Sequence, residues 1–284
     1  MNATGRCLCG QVRWAIHGPV HSMAHCHCSM CRKHHGALFS TWLAVAAADF
    51  EWLQGLDGIV AYRSSDQGLR PFCGTCGSSV PVVFEAEGLA ASPAGSLEGE
   101  IEARPERHMF AASAPAWGAM ADDLPRHDAF PPGIEGQPVE RPTPDTKPGL
   151  ILGGCLCGAV AFEADADQLV LGRNCHCSRC RALTGSAHAS NLFLPLDALR
   201  FRQGEALVII WKLPDAVRFA SAFCSRCGSI MPRPLEALGR YLIPMGSLDT
   251  DPGMAPSCHI FVADKAAWFQ IADRLPQYEG YAPS

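Results

Sequence analysis

The chain has 284 residues, 15 cysteines and a formal net charge of -5 at neutral pH. This length fits one large domain or two ordinary ones, and the acidic balance disfavours nucleic acid as a partner. No apolar run is long enough for a membrane span and no signal peptide is visible. We therefore expect a cytoplasmic protein without a membrane partner, whose cysteines are thiols rather than disulfides.

Short apolar stretches, several with a two-residue alternation, predict β-strands separated by glycine- and proline-rich turns. In chain order they cover residues 8–17, 80–84, 156–163, 206–211, 240–244 and 259–262. One helical turn is predicted after Cys31 and another after Cys180, and residues 263–272 fit a short helix or a strand with a loop. The pattern predicts a mainly β fold of the sandwich or barrel-like kind.

The cysteine motifs occur twice in the chain. The sequence CLCG at 7–10 recurs at 155–158, CHCSxC at 26–31 recurs at 175–180, and FCxxCGS at 72–78 recurs at 223–229. Outside the cysteines, GSL, a histidine and a tryptophan also recur in the same order. The chain is therefore a tandem duplication, and of all its cysteines only Cys258 has no counterpart, so we expect it to be a small buried residue.

A stretch rich in proline and glycine, residues 129–149, separates the two copies. Such a composition disfavours helix and favours extended chain. We predict a zinc domain at 1–128, a linker at 129–149 and a second zinc domain at 150–284. The linker is long enough for the two domains to pack together, so we expect a monomer with an intrachain pseudo-dimer.

The CxxCG motif is typical of a zinc knuckle, in which two thiolates hold one ion. A closed tetrahedral site needs four ligands, and the CxC motif near the start of each copy can supply the other two. The predicted structural zinc ligands are Cys7, Cys9, Cys73 and Cys76 in the first copy, and Cys155, Cys157, Cys224 and Cys227 in the second. The alternatives are plain buried thiols or a redox pair, although no βαβ pattern surrounds the motif as in thioredoxin.

Each copy has three further cysteines in a CxCxxC motif. Three protein ligands with an open fourth position are the pattern of a catalytic zinc. The predicted open sites consist of Cys26, Cys28 and Cys31, and of Cys175, Cys177 and Cys180. Alternatively, a nearby histidine closes the first cluster as a second structural site: His25, His27 or His34. The cofactor prediction is thus up to two zinc ions per domain, one structural and one open.

The remaining histidines divide by whether they recur. His108 and His259 occupy matched positions, and each either packs in the core or has a role in the site. His27 and His176 lie between predicted ligands, and we expect them to point away and form hydrogen bonds. The histidines near Cys26 without a counterpart are expected at the surface: His21, His34 and His35.

Taken together, these motifs resemble the glutathione-dependent formaldehyde-activating (GFA) family, twice over. The resemblance implies a mostly β fold with one structural and one catalytic zinc per domain, held by the two ligand groups above. It also implies carbon–sulfur lyase chemistry on S-hydroxymethylglutathione, or its formation from glutathione and formaldehyde. The first copy matches more closely, so we expect it to carry the activity if only one copy does.

The leading functional prediction is therefore an enzyme that handles adducts of glutathione and an aldehyde. An open zinc would bind a small thiol as its thiolate and position it for addition to a carbonyl. Candidate acid–base residues are His108 and His259, and candidate glutathione contacts are Arg32, Lys33 and Arg181. The alternative is a non-catalytic zinc-stabilised scaffold that binds a protein partner, as in the related centromere protein V family.

Overall fold

The computed structural model describes residues 1–66, 68–134 and 144–283. The middle of the predicted linker, residues 135–143, lies outside the described residues. Within them, no helix has the length and apolar character to cross a bilayer. The chain is mainly β and divides into two similar halves, which confirms the predicted fold class. The sheets remain open, and the described residues form no closed barrel.

The described residues of the first half form twelve strands and one α-helix. They are β1 Ala3–Arg6, β2 Arg13–Ile16, β3 Ser22–Cys26, α1 Ser29–His35, β4 Ser40–Ala46, β5 Phe50–Gln54, β6 Ile59–Arg63, β7 Leu69–Cys73, β8 Val82–Phe84, β9 Leu89–Pro93, β10 Leu97–Glu98, β11 His108–Met109 and β12 Arg126–His127.

The part of the second half that the structure describes repeats this order, with eleven strands and one α-helix. They are β13 Leu150–Gly154, β14 Ala161–Asp165, β15 Leu171–Cys175, α2 Ser178–Thr184, β16 Ala189–Pro195, β17 Leu199–Gln203, β18 Val208–Lys212, β19 Ala220–Cys224, β20 Arg233–Leu235, β21 Arg240–Pro244, β22 His259–Ile260 and β23 Gln277–Tyr278. The counterpart of β10 is reduced to a single bridge between Gly153 and Leu248.

A six-stranded mixed sheet is the largest element of each half. Its order is β12-β11-β3-β4-β9-β8 in the first half and β23-β22-β15-β16-β21-β20 in the second, read in the same direction. The short strands β11 and β22, each next to the edge of its sheet, run parallel to β3 and β15. This arrangement places His108 opposite His25, and His259 opposite Asn174, beside the cysteines that end β3 and β15.

The predicted strands at 8–17 and 156–163 begin later than expected, at Arg13 and Ala161. The residues before them turn back on themselves at Gly10 and Gly158, both with φ of +77°, a conformation that glycine adopts at little cost. The strand predicted at 240–244 has the predicted bounds. Residues 263–272 are mostly irregular, with one short 3₁₀ turn at their start, so neither element predicted there is present.

The halves pack through reciprocal contacts. The start of the GSL motif of each half lies against the end of the other half's helix: Gly246 meets the backbone of Arg32 and Ala37, and Gly95 meets that of Ser186. A Cβ atom at Gly246 would lie 2.3 Å from the Arg32 carbonyl oxygen, closer than real Cβ atoms approach. These glycines therefore allow the two backbones to touch.

A second set of contacts joins the two FCxxCGS motifs. The rings of Phe72 and Phe223 meet edge to face with centroids 6.2 Å apart, and each ring packs against the glycine of the other half's motif, Gly228 or Gly77. These residues belong to one continuous apolar core that includes both halves.

The prediction that His34 and His35 lie at the surface is wrong, whereas His21 is exposed as expected. His34 and His35 are 2% and 0% exposed, because the second half covers the end of α1. His34 Nδ1 bonds the Cys227 carbonyl at 3.1 Å, and His35 Nδ1 bonds the Thr184 carbonyl.

Candidate metal centres and the cavity between the halves

The predicted structural ligands of each half come together in space. Cys7 and Cys9 follow β1, Cys73 ends β7, and Cys76 lies in the turn after it. The four sulfur atoms lie within 4.8 Å of one another. The four cysteines at 155, 157, 224 and 227 form an equivalent group. All are free thiols, so each group can surround one ion.

A buried serine supports each four-cysteine group. Ser78 Oγ accepts the Leu8 amide at 3.0 Å and lies 3.3 Å from Cys76 Sγ, while the Val12 amide donates to Cys7 Sγ at 3.3 Å. Ser229 makes the same contacts in the second half. Such outer contacts orient metal ligands. Sequence reasoning placed Ser78 and Ser229 in the repeat but missed this role.

The three-cysteine groups are built on the starts of the two short helices. Cys26 ends β3, Cys28 is the N-cap of α1, and Cys31 lies in its first turn, with its amide 3.3 Å from Cys28 Sγ. Cys175, Cys177 and Cys180 repeat this geometry around α2. In each group the sulfur atoms lie within 4.8 Å, and no ring nitrogen or carboxylate of the described residues joins them.

A different arginine serves each three-cysteine group. Arg70 on β7 donates to Cys31 Sγ at 3.5 Å and to Ser64 Oγ at 3.1 Å. In the second half, Arg233 on β20 shares a small cavity with Cys180. The matched positions hold Ser221 and Val82, so the two halves place a guanidinium near the cluster from different strands. The repeat pattern could not identify either arginine for that reason.

The two three-cysteine groups differ in access. Those of the first half are at most 8% exposed and pack with Phe110. In the second half, Cys177 and Cys180 are partly exposed, and a cavity of about 40 Å³ reaches Cys180. The second-half group is therefore the more accessible one, although the first copy matches the motif more closely.

The electrostatics of these groups suit a cation. The thiols of Cys26 and Cys28, followed by the Arg70 guanidinium, lower the pKa of Cys31 well below its usual value. The thiols of Cys175 and Cys180 lower the pKa of Cys177 to about 3. By contrast, hydrogen bonds with the thiols of Cys28 and Cys31, followed by burial, raise the pKa of Cys26 and favour its protonated form. A bound divalent cation would stabilise all three thiolates, so the residues present fit zinc.

A separate cavity of about 340 Å³ lies between the halves, and no cysteine is among the described residues that line it. Two carboxylate–imidazole–imidazole chains border it. His108 Nε2 bonds Asp122 at 2.9 Å, and His27 Nε2 bonds His108 Nδ1 at 2.8 Å.

The second half repeats this chain with Asp273, His259 and His176 at 3.0 and 2.8 Å. His27 and His176 thus form hydrogen bonds, as the sequence predicted. Both aspartates were missed, although each lies two residues before the recurring Leu-Pro pair.

The sequence matches the family described as glutathione-dependent formaldehyde-activating enzyme over residues 2–113 and again over 150–264. The chain belongs to this family. A protein of Halomonas elongata named "Putative glutathione-dependent formaldehyde-activating enzyme" is 29% identical over 133 residues, which is 44% of this chain and 83% of that protein. A crystal structure of a Rhodobacter sphaeroides protein is 24% identical and covers 37% of this chain and 97% of its own, with a TM-score of 0.30.

In this GFA-family chain, the residues predicted to contact glutathione or to act as acid and base make other contacts in the structure. Lys33 is buried and pairs with Asp249 at 2.7 Å across the halves, so it stabilises the interface. Arg32 and Arg181 donate to the carbonyls of His27 and His176. His108 and His259 line the cavity between the halves, and the small cavity at Cys180 has no histidine among its described lining residues.

Proposed function

We propose that this GFA-family chain is a zinc-dependent carbon–sulfur lyase that makes or cleaves adducts of glutathione and an aldehyde. The observation that carries the proposal is the pair of three-cysteine groups, each with converging sulfurs, a nearby arginine and no fourth ligand among the described residues. The four-cysteine groups would hold structural zinc. The family and the Halomonas relative support the substrate class.

Zinc in an open group would supply a site at which a thiol loses its proton near neutral pH. The residues of the chain would hold the ion, offset its surrounding negative charge and orient the substrate. Cys175, Cys177 and Cys180 would hold the ion, and Arg233 would offset the excess negative charge of three thiolates. Thr184 and Asn191 also line the cavity at Cys180, and their hydroxyl and amide groups could orient a small carbonyl or hydroxyl group.

The reaction balances without a further reactant. In cleavage, the hemithioacetal hydroxyl loses its proton, the carbon–sulfur bond breaks, and the sulfur leaves as a thiolate that takes up a proton, which yields free aldehyde and thiol. Formation is the reverse. A cavity of about 40 Å³ admits only the reacting end of such an adduct, so the rest of glutathione would lie outside it.

Two matched variants test the proposal. Cys177→Ser and Cys28→Ser should each lower the zinc content by one ion per chain, measured by mass spectrometry of the native protein. Because the second-half group is more accessible, Cys177→Ser should abolish turnover of S-hydroxymethylglutathione, followed by formaldehyde release, and Cys28→Ser should retain most of it. Full turnover in both variants would rule out chemistry at these groups.

The scaffold hypothesis has its own support, since burial of Cys26, Cys28 and Cys31 leaves the first-half group closed to solvent. If both halves act only as scaffolds, millimolar glutathione should leave the melting temperature of the zinc-loaded protein unchanged. A rise that Cys177→Ser removes would instead support the enzyme. The cytoplasmic location and the monomeric state remain predictions.

A further inference from the structure

We propose that the cavity between the halves is a second binding site, for a small uncharged molecule that combines an apolar ring with a hydroxyl group. It is separate from the cysteine groups and does not depend on the lyase proposal. Its volume of about 340 Å³ is within the range of small-molecule sites.

Both halves contribute walls to this cavity, and the walls are aromatic. Phe39 of the first half and Phe269 of the second lie with ring centroids 6.1 Å apart. His188 contacts both rings, at 5.4 and 5.6 Å. Rings in tilted and edge-on contact present faces and edges on which a flat apolar ligand can pack. The cavity therefore favours a ring-shaped body over a flexible charged chain.

Two buried histidines give the cavity free hydrogen-bonding groups. His25 Nδ1 bonds Thr41 Oγ1 at 2.9 Å and His188 Nδ1 lies 3.4 Å from Ser190 Oγ. The residues are 2% and 3% exposed. Among the described residues, neither Nε2 atom has a side-chain hydrogen-bond partner, and the His188 ring has one further hydrogen bond, to the backbone of Ala189.

The proton positions at His188 follow from its neighbours. Ser190 Oγ donates to Asn174 Oδ1 at 2.7 Å, so its single proton is used and it can only accept from His188 Nδ1. Burial lowers the pKa of His188 to about 3, so the ring is neutral at pH 7. A neutral ring with its proton on Nδ1 presents Nε2 as an acceptor. The matching ligand group is a donor, such as a hydroxyl.

The charges at the cavity argue against an anion. Asp122 and Asp273 add two carboxylates to its lining, each bonded to a histidine. Arg274 also belongs to the lining but is exposed to solvent. An anionic ligand would therefore meet two partly exposed carboxylates in the cavity wall, which makes glutathione, with its two carboxylates, a poor fit.

Several of the positions that line this cavity differ between the two copies. The carboxylate–histidine chains are the same in both halves, but His25 corresponds to Asn174, Phe39 to His188, and Gly118 to Phe269. Each of these six residues lines the cavity. A scaffold of near two-fold symmetry has thus become asymmetric at its centre. This is what binding an asymmetric ligand in one orientation requires.

Ligand-observed NMR on the zinc-loaded full chain tests the site with benzyl alcohol as the probe. Anisole has the same size without the donor, and benzoate carries a charge. We expect saturable binding of benzyl alcohol. Anisole and benzoate should bind at least about tenfold more weakly, because each lacks the hydroxyl donor and so loses one hydrogen bond. Equal affinity for benzyl alcohol and anisole, or no saturable binding of benzyl alcohol, would overturn the proposal.

Variants of His188 test whether benzyl alcohol binds in this cavity. His188→Phe introduces the residue that the first half has at the matched position, and it should weaken benzyl alcohol binding about tenfold. His188→Gln keeps an acceptor and should retain binding within about threefold, which guards against a folding defect in His188→Phe. His17→Phe removes an exposed histidine outside the cavity and should change nothing. Unchanged affinity in His188→Phe with full zinc content would place the binding elsewhere.

Discussion

At the scale of single residues, both three-cysteine groups have an arginine nearby, but each arginine comes from a different strand. Three thiolates around one divalent cation leave a net negative charge, and a guanidinium nearby offsets it. The first half uses Arg70 from β7 and the second half uses Arg233 from β20. Since neither position is an arginine in both copies, comparison of the copies cannot find them, and only the folded chain brings them to the sulfurs.

Replacing Arg70 by methionine should weaken zinc binding at the first-half group. The variant removes a hydrogen bond from a cation to Cys31 Sγ, worth about 1.5–3 kcal/mol for a charged group, or roughly a tenfold loss of affinity or more. Chelator competition in a Cys177→Ser background, which lacks the second open site, measures the effect. Arg63→Met, at an exposed position of the neighbouring strand β6, is the control. Equal affinities of both variants would contradict a role for Arg70.

The aspartate of each carboxylate–imidazole chain should stabilise the fold. Asp122 accepts from His108 at 2.9 Å and from the Leu124 amide at 3.1 Å. Asp122→Ala leaves a buried imidazole without its partner, and we expect the free energy of unfolding to fall by about 2 kcal/mol. Urea unfolding of the zinc-loaded protein checks this. Asp123→Ala, at the exposed neighbour, should cost less than about 0.5 kcal/mol; a similar loss in both variants would contradict the assignment.

Sequence reasoning at this scale succeeded where spacing and repetition carry the chemistry. The members of the four cysteine groups could be predicted from the sequence because CxC, CxxC and CxCxxC each recur. The structure brings the sulfurs of each group together. It failed for His34 and His35, whose burial depends on the other half covering α1. A residue that is buried only by packing between the halves carries no local signal of that burial.

At the scale of elements, the GSL segments explain how two copies become one packed unit. Each segment forms a 3₁₀ turn, and each turn packs against the α-helix of the other half. Gly95 additionally donates its amide to the Gly185 carbonyl at 3.0 Å. The recurrence of the motif in the sequence thus reflects a contact between copies, although the motif alone does not say what it contacts.

Substituting alanine for Gly246 should therefore destabilise the protein through the interface. Its Cβ atom would lie 2.3 Å from the Arg32 carbonyl oxygen and 2.4 Å from the Ala37 nitrogen, both backbone atoms that cannot rotate away. Overpacking of this kind costs about 1–3 kcal/mol, so we expect a clear fall in melting temperature.

Gly280→Ala is the matched control, since nothing lies within 4 Å of the Cβ position there. It should melt within about a degree of the parent, as surface changes usually do. If Gly246→Ala melts like Gly280→Ala, the two backbones do not make this close contact in solution.

The type of secondary structure was predictable from the sequence, whereas the first and last residues of the strands were less predictable. The strand at 240–244 has its predicted bounds, because the left-handed Gly239 precedes it and a 3₁₀ turn at Met245–Ser247 follows it. The strands predicted at 8–17 and 156–163 begin late, as β2 and β14, because the CxCG sequence fits an apolar alternation but turns at Gly10 or Gly158. The irregular stretch at 263–272 could not be assigned from its pattern, since part of its apolar surface faces a cavity rather than a sheet or helix partner.

At the scale of the whole molecule, buried histidines between the halves make stability depend on pH. His34 is 2% exposed, and its ring bonds the Cys227 carbonyl in the other half's four-cysteine group. Burial lowers its pKa from 6.5 to about 3. Between these two pH values the unfolded chain binds one proton more than the folded chain, so stability is lost as the pH falls below 6.5.

His34→Leu, which introduces the Leu183 side chain of the matched position, removes this proton linkage. From pH 7 to pH 5.5 the parent should lose about 1 kcal/mol more stability than the variant, measured by urea unfolding in the presence of zinc. Protonation of the cysteine ligands acts on both proteins and cancels in the comparison. His21→Leu, at an exposed histidine, should keep the slope of the parent. Parallel slopes for parent and His34→Leu would show that His34 is protonated alike in the folded and unfolded chain, against its burial between the halves.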